Sequence, residues 1–371
     1  MLNQIITWAA VLFLILGGID YLLGGRFGLG SEFEKGFIAA GRLLLCMTGF
    51  LVLAPVLAQV LSPAVSPLFR AVGLDPSLFS GLLLANDSGG AALAMELADD
   101  LEMGRFSGLI VGSMMGTTVM FIIPLTVAGT TPEHRTAAIY GLLAGIITVP
   151  IGCLAGGLTA GFDPGAVLRN TLPVLLIALF LALMLIFFRT VIVGALSLLG
   201  KGILALSVAG LVVSGVQRLT GLTLVEGLGS LDEAFSIVGN ICIFLAGIFP
   251  LLSVVQKFLG RPLKALGAKL DINSSSLSGL ILALANGIPV FSLLNDMDDK
   301  GRMLNAAFLV SVSCVFGDHL AYTTQAAPEL CTSMMLGKLA GGISALLLAL
   351  VLAPRLLHLR TQQTSGSHRC Q

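Results

Sequence analysis

Three short runs place ionisable or amide side chains next to helix-breaking residues deep inside apolar sequence. Asn86-Asp87-Ser88-Gly89-Gly90 lies within PSLFSGLLLANDSGGAALAMELADD, and Asn286-Gly287-Ile288-Pro289 within SSLSGLILALANGIPVFSLLNDMDD. Phe316-Gly317-Asp318-His319-Leu320 falls inside an apolar block over 303–326. A carboxylate far from water is costly, and by default it marks function. Asp87 and Asp318 therefore suit a buried cation, with Asn86, Ser88 and Asn286 offering donors and acceptors to a hydroxyl group. His319 or Asp318 could carry a proton. Asn305, on the Asp318 helix, and Ser113 and Thr117, beside a Gly108/Gly112/Gly116 stripe, are further binding candidates. Bland readings stand beside these: Asp87 as a helix cap, Asn286 as a turn residue, Asp318 as a structural partner of Lys338, and the glycine stripe as helix packing. Gly89, Gly90 and Gly287 would form the flexible hairpin tips.

The rest of the chain says what must position these groups. Of 371 residues, 56% are hydrophobic and only 11% charged, with mean hydropathy +0.99. That charge fraction is less than half the roughly 25% of soluble domains. A soluble enzyme, a nucleic-acid binder and a disordered chain are excluded, and a zero net charge implies no polyanionic partner. Apolar blocks over 4–23, 36–61, 106–128, 136–160, 170–188, 202–218, 234–258, 303–326 and 335–357 have the length of membrane-spanning helices. The first block has no basic leading segment, which favours a span over a cleaved signal. The six cysteines lack metal-ligand or disulfide spacing. The acidic clusters Asp99-Asp100-Glu102 and Asp296-Asp298-Asp299 lack His or Cys companions, so no metal is expected. No nucleotide-binding or zinc-protease motif is present, and no cofactor is expected.

An internal repeat organises the blocks. A shift of 198 residues brings Phe37 onto Phe235, Gly41 onto Gly239, Gly49 onto Gly247 and Ser80-Gly81-Leu82 onto Ser278-Gly279-Leu280. Half A covers 1–165 with hairpin 76–98, and half B covers 199–360 with hairpin 275–295. A linker helix occupies 166–198, and a cytoplasmic tail 361–371. If both hairpins crossed the membrane there would be eleven spans and no charge bias. As re-entrant hairpins they leave nine spans, with 4 loop Lys/Arg residues on one side and 14 on the other. The Lys/Arg excess marks the cytoplasm. The expected fold is thus an all-α polytopic membrane protein of two inverted repeats, N-terminus outside and C-terminus cytoplasmic. Each hairpin arm of about ten residues is about 15 Å long, enough to reach the midplane. Broken helices meeting there are a transporter architecture.

Six segments resemble the bacterial ethanolamine-utilisation permease family, EutH: ANDSGGAALAMELADD, SGLIVGSMMGTT, LLAGIITVPIGCLAGGL, LANGIPVFSLLNDMDDKGRMLNAAF, FGDHLAY and MLGKLAGG. They cover nearly the whole chain in the family's order. The family commonly has Cys where this chain has Asn86, and a second Asn where it has Gly287. The resemblance implies an inner-membrane protein that admits ethanolamine for catabolism, without a soluble catalytic domain.

The leading expectation is a permease or facilitator for protonated ethanolamine, its charge partners being Asp87 and Asp318. An amine of lysine-like basicity is protonated at neutral pH, and a charged amine crosses lipid poorly. One alternative is an ion-coupled transporter of another small amine or organic ion. Another is an intramembrane aspartyl protease, for which Val315-Phe316-Gly317-Asp318 lacks the first glycine of a GxGD motif. The expected partners are the small-molecule substrate and membrane lipid, and an apolar lipid-facing surface is compatible with a homo-oligomer.

Overall fold

The computed structural model describes the backbone of residues 2–367 and the side chains of 4–258 and 267–356. Cys370 and the end of the expected tail, 368–371, lie outside the described residues. Regular structure among the described residues is helical throughout. Eight helices are long and apolar enough to cross a membrane. They are α1 (Leu2–Leu22), α2 (Gly30–Ala71), α5 (Leu101–Gly129), α6 (Pro132–Thr159), α7 (Pro164–Phe187), α8 (Arg189–Thr220), α9 (Leu231–Leu270) and α14 (Cys331–Ser367). The short helices are α3 (Leu78–Leu83), α4 (Ala91–Leu97), α10 (Ser274–Ala285), α11 (Ile288–Leu293), α12 (Asp299–Val312) and α13 (Asp318–Ala326).

The ninth expected span, 303–326, is not one helix. It breaks between Val312 and Asp318, where Cys314 takes a left-handed φ of 59°. A similar order of elements recurs on either side of α7: two long helices, two short arms, a segment carrying candidate polar residues (one helix, α5, in the first half and the pair α12 and α13 in the second), and a closing long helix. The packing follows this recurrence. Helix α1 lies on α9, α8 lies on α2, and α6 lies on both α12 and α14. Large apolar side chains face outward on α7 and α8, among them Leu172, Leu176, Leu183 and Val212.

Both polar stretches turn back, because hydrogen bonds tie the two feet of each hairpin together. Asp75, just before α3, accepts from the amides of Asp99 and Asp100, just after α4 (3.2 and 3.1 Å). Asn273, just before α10, donates from its amide to Asp298 (2.9 Å) and from its side chain to the Asp296 carbonyl (2.9 Å). The first hairpin's foot lies at the start of α5. The second hairpin's foot lies at the other end of α5, where Asn295 donates to Gly129 O (2.8 Å) and accepts from Thr131 N (3.0 Å). The two hairpin feet therefore lie at opposite ends of this 29-residue helix.

The acidic clusters are structural. Asp100 accepts from Glu102 N at the start of α5, and Asp298 from Gly301 N at the start of α12. Arg70 donates to Asp99 through two nitrogens (2.7 and 2.5 Å) and holds its carboxyl below the usual carboxylate range. Asp20, at the end of the first apolar block, accepts from the amides of Phe27, Leu29 and Gly30 (2.9, 2.8 and 2.8 Å) and fixes the turn into α2.

Burial pushes the Asp298 carboxyl up, but bonds from Ser276 Oγ (2.7 Å), Asn273 N and Gly301 N outweigh it and set it below the usual range. Its contribution is complete above the unfolded carboxylate value of about 3.9 and is lost as pH falls through the lower folded value. Asp298→Ala should destabilise by about 1–2 kcal/mol at neutral pH. The gap in melting temperature between wild type and variant, followed in detergent, should close only below about pH 4.

Candidate functional site

The tips of the two hairpins and the break between α12 and α13 meet at one cavity of about 490 Å³. The first tip is a tight turn in which the amides of Ser88 and Gly90 both donate to Ala85 O (3.1 and 3.0 Å). Ser80 Oγ donates to Gly90 O (2.6 Å), tying the arms. Gly89 has φ 88°, and a Cβ there would run into the Phe50 ring of α2. The residue must therefore be glycine for both conformational and steric reasons. Helix α4 starts without a side-chain cap, so the Asp87 carboxylate is not used as one. Its hydrogen-bond partner is Ser88 Oγ (3.2 Å).

At the second tip, Asn286 Oδ1 accepts from Ile288 N (2.9 Å), one residue before Pro289. Asn286 thus serves as the turn residue and still presents its NH2 group. The broken helix supplies the third side. The amides that the break frees are taken by carbonyls that α10 frees at its own end. Cys314 N donates to Ala283 O (3.1 Å) and Phe316 N to Leu284 O (2.9 Å). Gly317 packs so closely on Ala285 O that a Cβ would collide with it. Helix α13 then begins at Asp318 and points its first residues into the cavity.

The structure brings Asp87, Ser88, Asn286, Gly287, Asp318, His319 and Thr117 together on the cavity wall. Asn86 is fully buried behind the first tip, its NH2 3.5 Å from His319 O and its Oδ1 without a partner. Ser113 and Asn305 are elsewhere. Ser113 Oγ donates to Ile110 O, and Asn305 donates to Ser276 O and Gly301 O at the foot of the second hairpin. Gly108 and Gly116 press on Ala91 and Leu84 O of the first hairpin, so the stripe receives the hairpin arms as small residues do.

Among the described residues, no cationic side chain pairs with Asp87 or Asp318. The alternative Asp318–Lys338 pair is not formed. Lys338 is fully buried and donates to Ser113 O (2.6 Å), with its other close contact at His319 Nδ1 (2.9 Å). The turn at Gly317 starts a new helix, and its geometry sends His319 rather than Asp318 toward α14. Arg42, on α2, stands in the sequence as an intramembrane cation and reaches the cavity, whereas Cys46 of α2 and Cys314 of the break had no signal of their own. Lys35, also on α2, marks the exposed end of the cavity, where it pairs with Glu32 (2.6 Å). The remaining wall is apolar, including Phe121, Leu125, Leu245, Phe249 and Phe291.

A profile of the family described as "Ethanolamine utilisation protein, EutH" matches residues 2–352. The chain belongs to the EutH family. It is 44% identical over 96% of its length to a Listeria monocytogenes member named probable ethanolamine permease EutH, covering 95% of that protein. An Escherichia coli EutH member of the same name is 36% identical over 95% of this chain and 96% of its own. A Bacillus subtilis relative, the uncharacterized protein YxeR, is 38% identical over 99% of both. No solved structure matches. With eight long apolar helices, this EutH member is a multi-pass protein of a bacterial inner membrane.

The native thiols report on the cavity. Cys46 and Cys314 line it, whereas Cys153 and Cys242 are buried in the helix packing. A small cationic thiol reagent should modify the first two at least about ten times faster than the second two, as read by peptide mass mapping. Equal rates for all four would place the reagent-accessible space elsewhere.

Proposed function

We propose that this EutH member is a permease that imports protonated ethanolamine across the inner membrane. One observation carries the reading. Two carboxylates without a fixed cationic partner share a cavity with amide and hydroxyl groups, at the meeting point of two hairpins whose feet lie at opposite ends of α5. The ammonium group would pair with Asp87 and Asp318, and its hydroxyl would bond Ser88 or Asn286. The apolar wall would cover the two methylenes. The names of the Listeria and Escherichia coli relatives support the same substrate. The halves are read as inverted repeats that alternate access around this site, with the linker helix α7 between them. The Lys/Arg excess puts the N-terminus outside and the C-terminus in the cytoplasm. The cavity then opens inward, past Lys35. Relatives named as permeases favour a transporter over an enzyme. No observation favours the protease or a different organic ion.

Labelled ethanolamine uptake into proteoliposomes at mildly acidic pH, where leakage of neutral amine is smallest, tests the proposal. Wild type should show saturable uptake above empty vesicles. A charge-assisted hydrogen bond contributes about 1.5–3 kcal/mol, so Asp87→Asn and Asp318→Asn should each reduce uptake by about 10- to 100-fold. Ethanolamine should also slow modification of Cys46 and Cys314. Uptake equal to that of empty vesicles by a folded wild type would remove the proposal. For orientation, a C-terminal tag should be inaccessible to reagents outside intact cells.

A further inference from the structure

Apart from the Arg42 and Lys35 cations toward its exposed end, the cavity is rich in acceptors and short of donors. Asp87 and Asp318 only accept when ionised. Ser88 spends its hydroxyl hydrogen on Asp87 Oδ1, and Thr117 spends its own on Gly112 O (3.0 Å). A substrate hydroxyl needs a donor for its oxygen as well as an acceptor for its hydrogen. Asn286 offers its NH2 group at the second tip. The other neutral donor depends on the state of His319.

Two contacts decide that state. Lys338 Nζ lies 2.6 Å from Ser113 O and 2.9 Å from His319 Nδ1, with both side chains buried and Lys338 standing behind the cavity wall. The contact with Ser113 O is shorter than a neutral N–H···O bond, as an ionised donor makes it. With Lys338 as an ammonium, which has three donors and no acceptor, Nδ1 accepts. The imidazole hydrogen then resides on Nε2, which lies beside Thr117 Oγ1 (3.5 Å) on the cavity wall. Thr117 has already given its hydrogen to Gly112 O, so it does not donate to Nε2, and at 3.5 Å its oxygen leaves the Nε2 hydrogen available to a ligand. The two ends of the ring agree on one tautomer.

The geometry points to Lys338 as a positioning residue that locks His319 in its Nε2–H form, making His319 the donor that selects hydroxyl-bearing amines over plain alkylamines. This rests on the permease reading above and assigns His319 a fixed donor role in place of proton carriage. Sites built to bond a hydroxyl reject the analogue that lacks it, because their own polar groups are left unpaired. Ethylamine, the same chain length without the hydroxyl, should therefore compete poorly with ethanolamine.

The test uses two readouts on the full chain in detergent or vesicles. In the first, nitrogen-15 spectra are taken of a histidine-labelled variant carrying His134→Gln, His358→Gln and His368→Gln, which leaves His319 as the sole histidine of four. Protonated Nε2 with unprotonated Nδ1 is expected, and Lys338→Met should produce a mixture of tautomers. In the second, ethylamine is measured as a competitor of ethanolamine binding and uptake. His319→Ala should narrow the preference for ethanolamine by about 10-fold or more, while His319→Gln, which keeps a side-chain donor, should restore most of it. Lys338→Arg keeps the cation and supplies a second variant if Lys338→Met does not fold. A hydrogen on Nδ1 in the wild-type ring, or an unchanged amine preference in a transporting His319→Ala protein, would overturn the inference. If wild type handles neither amine, the permease reading falls, and the imidazole spectrum alone decides the Lys338–His319 arrangement.

Discussion

A helix that stops in the middle of a membrane leaves amides and carbonyls with no water to satisfy them. In this chain two such stops answer each other. The break after Val312 frees the amides of Cys314 and Phe316, and the end of α10 frees the carbonyls of Ala283 and Leu284. Their pairing holds Asn286 and Asp318 on one wall, because the first follows α10 and the second opens α13. The first hairpin solves the same problem within itself. Ala85 O takes two amides, and Ser80 takes the Gly90 carbonyl. Once the backbone is satisfied in this way, the Asp87 side chain is left free for a ligand.

Close approach makes these arrangements possible. Gly81, Gly108 and Gly116 let the first hairpin lie on α5, and Gly141 and Gly145 bring α6 onto the backbone of α12. Gly152 and Gly156 do the same between α6 and Gly337 of α14, one residue before Lys338. The buried ammonium can reach Ser113 O on α5 only because these helices pack with almost no side chain between them. Glycine in a helix costs roughly 1 kcal/mol relative to alanine. Here that cost sets the distance between the elements that carry the polar groups.

Much of this was legible in the sequence. The apolar block lengths located eight of the long helices, and the Asn-Gly and Gly-Gly steps located both tips. Charge bias was the reason for treating the polar stretches as hairpins, and the hydrogen-bonded feet agree with it. The break at 313–317 was not legible, because its residues are apolar or small and contain no proline. What breaks the helix there is a tertiary contact with α10, which no local pattern encodes. Lys338 was visible as an intramembrane cation, but its partner was not. A helix restarted at Gly317 turns Asp318 and His319 differently from a continuous one. Asn305 and Ser113 had the right depth and chemistry, yet their side chains serve nearby backbone carbonyls.

The cavity wall also bears on which cations the carboxylates can serve. Pockets for organic ligands are mostly apolar, with a few polar groups that fix orientation. Phe121, Leu125, Leu245, Phe249 and Phe291 give this cavity that composition. A small hard metal cation is held by a full shell of oxygens, and the apolar side of the cavity supplies none. An alkylammonium uses both kinds of surface, with its charged end at the carboxylates and its carbon chain against the aromatic and leucine side chains. Lys35 and Arg42 lie along α2 between the exposed end and the tips, so the local charge changes sign along the cavity. A cation held at Asp87 and Asp318 would therefore face fixed positive groups on the side toward the exposed end.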